Sequence, residues 1–267
     1  VEPAIDPVGV NRHVRSVIAA IEPNDSVERF QGLGVQVIQA AGRFLDHHTV
    51  AAGDYVITAR RFVIATGSSP VVPPIPGLND VSYFTNETLF DNTVRPEHLI
   101  VIGGGPIGME MAQAHRRPNI GDLNLPAAGI QFEKGGITVD SGLRTSNKKV
   151  FAIGDVAGGP QFTHIANYHA GIVLRRALFR LPAKVDRKLF SWVTFTEPEL
   201  AHAGLSEADA IAGKYRVKVL RWPFHENDRA QAERETHGHV KVVVDKKGRI
   251  LGATILGAHA GELIQMW

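Results

Sequence analysis

Apolar positions along the chain follow two periods, and each period predicts a different kind of element. A spacing near 3.6 residues predicts an amphipathic helix over residues 10–21, ended by Pro23, and a longer helix over residues 163–179. Shorter apolar runs, separated by Gly and Pro, predict strands. The predicted strands are one at 34–44 followed by a close turn, two within 55–66 of which the second is fully buried, a buried one at 99–102 that leads into a helix at 106–116, and one at 150–153.

The pattern changes near residue 190, where we predict a domain boundary. A short strand starts at Trp192 and is followed by a Pro-Glu turn and a helix, for which Ser206 and Asp209 have the spacing of a capping box. Three segments that alternate with a period near two then predict an antiparallel sheet, with a turn at 246–248 joining the last two.

A glycine-rich turn follows the predicted strand at 99–102. Gly103 permits a tight turn, Gly105 permits close approach of a pyrophosphate, and Gly108 permits the helix to lie against the strand. The amide groups and dipole of the new helix would favour the phosphate charge. A ligand-free strand-to-helix turn is the alternative. The chain then enters a Pro/Asn/Gly-rich loop containing Asp122, whereas a dinucleotide fold needs a second strand. The nucleotide domain therefore begins and does not continue.

Two further turns follow predicted buried strands. Thr66, Gly67 and Ser68 end the strand within 61–65, where small residues would let a phosphate or ribityl chain pass close to the backbone. Gly154 and Asp155 end the strand at 150–153, and a carboxylate there can accept hydrogen bonds from sugar hydroxyls. A plain turn and a turn-capping Asp are the alternative interpretations.

Composition excludes several classes of function. The chain has 267 residues, of which 44% are hydrophobic and 21% charged. Its net charge of +2 is small and its basic residues are scattered, which argues against nucleic-acid binding. No apolar run approaches the ~18 residues that span a bilayer, so we expect a cytoplasmic enzyme with no membrane partner. The chain has no Cys, which excludes thiol chemistry within it. The His47-His48 and His237/His239 pairs lack a third ligand nearby, and we predict no metal site.

Several segments, taken in order, carry a resemblance to a known family. The segments include "ATGSSP", "VIGGGPIGMEMA", "PNIGDLNL", "KVFAIGDVAG" and "FTEPELAHAGLSE". The chain resembles the flavoprotein pyridine nucleotide-disulfide oxidoreductases of the mercuric reductase and dihydrolipoamide dehydrogenase type. The resemblance implies that FAD and NAD(P) are the cofactors and that the protein is a homodimer.

The resemblance also implies roles for individual residues. Gly42 corresponds to the backbone contact of the FAD adenine, and Asp155, after Gly154, to the ribityl-binding Asp. The turn over the flavin phosphate and ribityl chain would be Thr66, Gly67 and Ser68. The helix start beneath the flavin ring would be Gln161, Phe162, Thr163 and His164. The nicotinamide-cofactor turn would be Gly103, Gly105, Gly108 and Glu110.

The implied fold class is α/β: an incomplete, Rossmann-like FAD domain of the glutathione reductase type plus a C-terminal α+β dimerisation domain. The predicted ranges are 1–98 and 118–190 for the two parts of the FAD domain, 99–117 for the start of the NAD(P) domain and 191–267 for a truncated dimerisation domain. Family members have a first Gly-x-Gly-x-x-Gly, a redox Cys pair, about a hundred more residues between Arg117 and Pro118, and a C-terminal His-Pro and Glu. Because these are lacking, we expect that the 267 residues are not one continuous natural chain. His259 and Glu262 are not the family's C-terminal pair, and we interpret them as structural or interface residues.

The resemblance implies hydride transfer from NAD(P)H through FAD to a small-molecule acceptor, a disulfide or a metal ion. No catalytic residue can be assigned within the chain, and we expect these residues alone to be inactive. The alternatives are a non-catalytic dimerising remnant and a cysteine-independent flavin reductase with a quinone-like acceptor. The choice between NAD and NADP and the identity of the acceptor stay open.

Overall fold

The computed structural model describes residues 6–102, 116–186 and 190–267. The chain divides into two compact units, which are described separately. The first comprises Val1–Asp140 and Arg144–Gly159, and the second comprises Ser141–Leu143 and Pro160–Trp267. The predicted domain ranges, with their boundary near residue 190, stay a prediction.

Both units are built from short elements. The helices are α1 (Pro7–Ile21), α2 (Val27–Gly32), α3 (Thr163–Ala177), α4 (Glu207–Ala212), α5 (Asp228–Glu233) and α6 (Ala260–Leu263). The strands of the first unit are β1 (Gly42–Phe44), β2 (Thr49–Ala52), β3 (Tyr55–Thr58), β4 (Phe62–Ile64), β5 (Ser68–Pro70), β6 (Arg116–Pro118), β7 (Phe132–Glu133), β8 (Gly136–Ile137) and β9 (Val150–Ala152). The strands of the second unit are β10 (Ser191–Thr194), β11 (Glu199–Gly204), β12 (Val217–Pro223), β13 (His239–Asp245) and β14 (Ile250–Gly257).

The first unit combines an antiparallel meander, β1-β2-β3, with a parallel pair, β4 and β9. Strand β9 is buried along its whole length, as expected for a parallel strand that is covered on both faces. The core of this unit consists of apolar residues, namely Phe44, Ile64, Leu125, Ala128, Ile130, Ile137, Val150, Ala152 and Val156.

The second unit contains a five-stranded antiparallel sheet in the order β10-β11-β14-β13-β12. Its core lies on one face of the sheet and is formed by Ala201, Val242, Val244, Ala253, Ile255, Ala260 and Ile264. Helix α4 begins after Ser206, whose side chain accepts a hydrogen bond from the Asp209 amide at 3.0 Å. Asp245 closes the β13–β14 turn by accepting from the amides of Lys247 and Arg249.

The structure confirms the predictions made from the strongly periodic segments. Helices α1 and α3 coincide with the predicted helices within a few residues, and the antiparallel sheet and its 246–248 turn are present. The fold class predicted from sequence, a mixed α/β part followed by an α+β part, is that of the structure.

Three predictions in the first unit are wrong, one of them altogether and two in part. The segment Leu99–Ile102 is neither a strand nor buried, and Ile100 is 86% exposed, because no described strand pairs with it. The predicted strand at 34–44 is reduced to Gly42–Phe44, since residues 35–41 join no ladder. Strand β4 is not fully buried: it pairs with β9 alone among the described residues, and Val63 is 48% exposed.

Two further differences concern strands that the local sequence pattern does not predict. Residue 116 was predicted to end a helix but begins β6, which pairs with β5; the remainder of that helix, residues 106–115, lies outside the described residues. Strand β11 has no predicted counterpart, because its sequence Glu-Leu-Ala-His-Ala-Gly mixes small and polar residues without a clear period. Pairing with both β10 and β14 makes it a central strand.

Candidate functional site

The parallel pair β4–β9 brings two of the sequence-predicted turns to one edge of the first unit. The Ile153 amide donates to the Ile64 carbonyl at 3.1 Å, so both strands end side by side. The turn at Thr66–Ser68 and the turn at Gly154–Asp155 follow these two ends. In open α/β sheets, ligands bind beyond the carboxyl ends of the strands, which makes this edge the candidate site.

Asn119 fixes the first turn in place. The Thr66 hydroxyl donates to the Asn119 carbonyl at 2.8 Å, and the Asn119 side-chain amide donates to the Thr66 carbonyl at 3.0 Å. The Asn119 backbone amide also donates to the Gly67 carbonyl at 3.0 Å. These bonds hold the turn to the β5–β6 ribbon that follows it.

Gly67 leaves open space beside the turn. Its φ is +66°, a conformation that favours glycine, and a Cβ placed on it would meet no atom within 4 Å. The backbone here is therefore accessible from one side without an obstructing side chain.

Asp155 and Ser68 connect the two turns directly. The Ser68 hydroxyl donates to Asp155 Oδ2 at 2.6 Å. Asp155 lies in the 3₁₀ turn Gly154–Ala157, where Gly154 adopts a φ of +65°. The hydrogen bond orients the half-buried carboxylate at the carboxyl edge of the parallel pair.

Gly42 lies elsewhere in the first unit. It begins β1, pairs with Ala52 and is half-buried. It takes part in none of the hydrogen bonds that join Thr66, Asn119, Ser68 and Asp155.

The predicted helix start lies in the second unit. Gln161 precedes Phe162, which is the N-cap residue of α3, and Thr163 and His164 form the first turn of the helix. The His164 Nε2–H donates to the Ser191 carbonyl. Since a carbonyl oxygen only accepts, Nε2 carries a proton in this hydrogen bond.

The predicted nicotinamide turn lies outside the described residues. This holds for Gly103, Gly105, Gly108 and Glu110 alike. Their assignment stays a prediction from the sequence.

Asn119 is the site residue that the sequence reasoning missed. A signal was present, because Asn119 lies in the Pro-Asn-Ile-Gly-Asp segment, which is one of those that carry the family resemblance. A side chain with both donors and an acceptor, placed in a loop, is suited to holding a distant turn.

The described residues hold no group of three or more His, Cys, Asp or Glu side chains placed to bind a metal ion. His48 Nδ1 lies 3.3 Å from Lys149 Nζ. None of the helices in the described ranges is long and apolar enough to cross a bilayer.

The arrangement at Thr66–Asp155 offers an oriented carboxylate, a hydroxyl and an open backbone turn, which can hold a polyhydroxylated or phosphorylated chain.

A separate cavity of about 520 Å³ lies in the first unit between residues 70 and 102. Its walls are mostly apolar, and they include Leu99, Ile100 and Ile102 from the segment that was predicted to be a buried strand. None of the described residues that line it is Asp, Glu, Lys or Arg, in contrast to the carboxylate at the Asp155 turn.

Comparison with protein families gives two matches. The model described as pyridine nucleotide-disulphide oxidoreductase matches residues 8–120 and 114–170. The model described as the dimerisation domain of the same family matches residues 190–267. The two pieces of the first match overlap at residues 114–120.

The relatives are longer than the chain. It is 30% identical to mercuric reductase of Bacillus cereus and 28% identical to that of Staphylococcus aureus, with 86% and 93% of the chain covered. These matches span 49% and 60% of the two relatives, so the chain represents about half to three fifths of their length. The match to mercuric reductase of Streptomyces lividans, at 25% identity, extends over 347 residues against 267 here, so at least 80 of them (347 − 267) have no counterpart in the chain.

Solved structures share the fold. LpdA from Mycobacterium tuberculosis superimposes with a TM-score of 0.83 at 21% identity, covering 99% of this chain and 76% of that one. The Cu(II) complex of RclA, the HOCl-induced flavoprotein disulfide reductase from Escherichia coli, gives a TM-score of 0.77 at 23% identity, covering 98% and 82%.

Proposed function

The chain belongs to the pyridine nucleotide-disulphide oxidoreductase family, and on that premise we propose that it binds FAD and acts in NAD(P)H-dependent redox chemistry. The observation that carries the proposal is the Ser68–Asp155 hydrogen bond at the carboxyl edge of the β4–β9 pair. It presents an oriented carboxylate where this type of sheet binds its ligands.

The residues present fit the middle of an FAD molecule. Asp155 can accept hydrogen bonds from ribityl hydroxyls, and the open side of Gly67 leaves room for a phosphate or ribityl chain. Gly42 and the helix start at Gln161, Phe162, Thr163 and His164 are proposed to contact the adenine and the flavin ring. The first 98 residues contain no Gly-x-Gly-x-x-Gly for the pyrophosphate, so we expect weaker binding than in a complete FAD domain.

When bound, FAD would accept hydride from NAD(P)H and pass the electrons on to a disulfide or a metal ion. The chain's own residues bind and orient. Ser68 fixes the rotamer of the Asp155 carboxylate, and Asn119 holds the Thr66–Gly67 backbone so that the open side of the turn is preserved. Gly103, Gly105, Gly108 and Glu110 are proposed to hold the nicotinamide cofactor, and residues 190–267 are proposed to form the interface of a homodimer.

A second candidate follows from the absence of Cys in all 267 residues. These residues supply no thiol pair, so this candidate is a flavin reductase whose acceptor, such as a quinone, takes electrons from the flavin directly. Anaerobic reduction with NADH or NADPH, followed by addition of a quinone, a disulfide or Hg²⁺, distinguishes the acceptors by which one restores the absorbance of oxidised flavin.

The proposal is tested by titrating the purified chain with FAD and following flavin fluorescence. The variant is Asp155→Ala, with Asp54→Ala as the matched control, because Asp54 is an exposed Asp in the β2–β3 turn. Losing hydrogen bonds to a charged acceptor typically costs about 1.5–3 kcal/mol, so we expect the dissociation constant to rise about 10- to 100-fold for Asp155→Ala and to stay unchanged for the control.

A wild-type chain that stays colourless and leaves flavin fluorescence unchanged at any FAD concentration contradicts FAD binding. That result would favour the non-catalytic dimerising remnant. Equal affinities for Asp155→Ala and the wild type would show that FAD binds elsewhere.

A further inference from the structure

A stack of rings joins the start of α3 to the sheet of the second unit. Phe162 and Trp192 are parallel, at an interplanar angle of 3°, with ring centroids 6.3 Å apart. His164 stacks on Phe162 at 5.4 Å, and Trp192 stacks on His202 at 5.4 Å. All three distances lie in the range in which ring pairs attract each other.

The sheet end of this stack is a row of side chains that crosses every strand. Trp192 on β10 pairs in register with His202 on β11, and His202 with Thr254 on β14. The row continues through Lys241 on β13 to Arg221 on β12. Register partners project from the same face of a sheet, so these side chains form one continuous line.

Hydrogen bonds fix His202 within the row. Its Nε2–H donates to the Gly204 carbonyl at 3.1 Å, which leaves Nδ1 to accept from the Thr254 hydroxyl at 2.9 Å. Burial lowers the pKa of His202, which keeps the ring neutral in this arrangement. At the far end, Glu207 approaches Lys241 Nζ at 2.7 Å and Arg221 at 3.9 Å.

The start of α3 has no side-chain cap of its own. Phe162 is its N-cap residue and has no oxygen that could accept from the free helix amides. Two contacts with consecutive residues of β10 hold it instead: the Phe162–Trp192 stack and the His164–Ser191 hydrogen bond. The placement of this helix start therefore depends on β10.

We propose that Trp192 is a positioning residue, which holds Phe162 and His164 at the start of α3 in the orientation that binds FAD. The inference rests on the proposed function, because residues 161–164 form part of the proposed FAD site. Trp192 acts through Phe162, and the row behind it makes the sheet a rigid support.

The test uses the full chain with the substitution Trp192→Leu, which removes the ring but keeps apolar volume. Trp192→Phe is the conservative variant that keeps a stacking ring. Trp222→Leu is the matched control, since Trp222 on β12 pairs in register with Val240 and belongs to neither the row nor the stack. Two quantities are measured: amide hydrogen exchange along α3 and along β13–β14, and the dissociation constant of FAD.

We expect faster exchange at residues 163–166 in Trp192→Leu, with β13–β14 unchanged, and near wild-type exchange in Trp192→Phe and Trp222→Leu. The FAD dissociation constant should rise about two- to tenfold in Trp192→Leu only. A change of this size corresponds to losing the attraction between one pair of aromatic rings.

The two hypotheses fail in different ways. A wild type that binds no FAD refutes the proposed function, while hydrogen exchange still decides whether Trp192 positions the helix start. The positioning role is overturned if exchange at 163–166 is unchanged in Trp192→Leu, if it rises equally throughout the unit, or if FAD affinity is unchanged while the wild type binds FAD.

Discussion

Thr66 and Asn119, 53 positions apart in sequence, are joined by hydrogen bonds in both directions: each side chain donates to the other residue's backbone carbonyl, at 2.8 and 3.0 Å. The pairing fixes the turn after β4 to the chain that follows β6. It places a glycine with an open side next to the Ser68–Asp155 hydrogen bond. The geometry of the candidate site therefore depends on a residue outside both predicted turns.

Replacing Asn119 by Ala should loosen this turn. The variant loses the donor to the Thr66 carbonyl but keeps its own backbone bonds, so we expect the free energy of unfolding to fall by about 1 kcal/mol. FAD affinity should fall as well. Urea unfolding and FAD titration measure the two effects, with Asn79→Ala as control because Asn79 is exposed. Unchanged FAD affinity in Asn119→Ala would argue against a role of this turn in binding.

Asn147 should contribute more to stability than Asn119. It is 9% exposed, and its amide nitrogen donates to the Ala128 and His47 carbonyls at 2.9 and 3.1 Å. Its side-chain oxygen accepts from the Lys149 amide at 3.0 Å. Asn147→Ala leaves these backbone groups without their partners, so we expect a loss of about 3 kcal/mol in urea unfolding. A loss below that of Asn119→Ala would contradict this ranking.

Stability should fall as the pH drops below about 6.5, the ordinary pKa of His. Burial lowers the pKa of His202 and of His169, so the unfolded chain binds more protons than the folded one in this range. For His202, Lys241 adds to the lowering, whereas the Gly204 carbonyl and Asp209 oppose it. The stability from neutral His202 is therefore present above pH 6.5 and lost as the pH falls through its lowered value.

Thermal unfolding between about pH 8 and pH 5 measures this dependence on both sides of the ordinary His pKa. His202→Gln should be less stable than the wild type at neutral pH, because it loses the geometry of the two ring hydrogen bonds with Thr254 and Gly204. Its melting temperature should vary less with pH, with a residual slope from His169. An identical slope in the variant and the wild type would exclude His202 as a source of the pH dependence.

The chain should be a homodimer through residues 190–267. Phe195 is 69% exposed in the single chain, and obligate dimers often bury about 2,000 Å² or more in isologous contacts. Light scattering should give the mass of two chains of 29.0 kDa. Phe195→Asp should shift this mass toward the monomer, whereas Phe179→Asp, which changes an equally exposed Phe outside the matched domain, should not. A monomeric wild type at micromolar concentration refutes the interface.

Sequence alone determined the elements whose periodicity is strong and local. Helices α1 and α3 and the alternating strands β12, β13 and β14 follow from the spacing of apolar residues, because that spacing dictates which face can be buried. The turn residues Thr66, Gly67, Ser68 and Asp155 were also recognisable, since each follows an apolar run and belongs to a motif. Their assignment to a cofactor stays a prediction.

Tertiary structure decided everything that depends on a partner distant in sequence. Leu99–Ile102 has the composition of a buried strand, but a strand forms only where neighbours satisfy its backbone groups, and no described strand does so. Strand β11 shows the opposite case: its sequence has no period that predicts a strand, but pairing on both edges makes it one. The Thr66–Asn119 bonds and the row from Trp192 to Arg221 are set by register and loop closure, which the local pattern of polar and apolar residues does not encode.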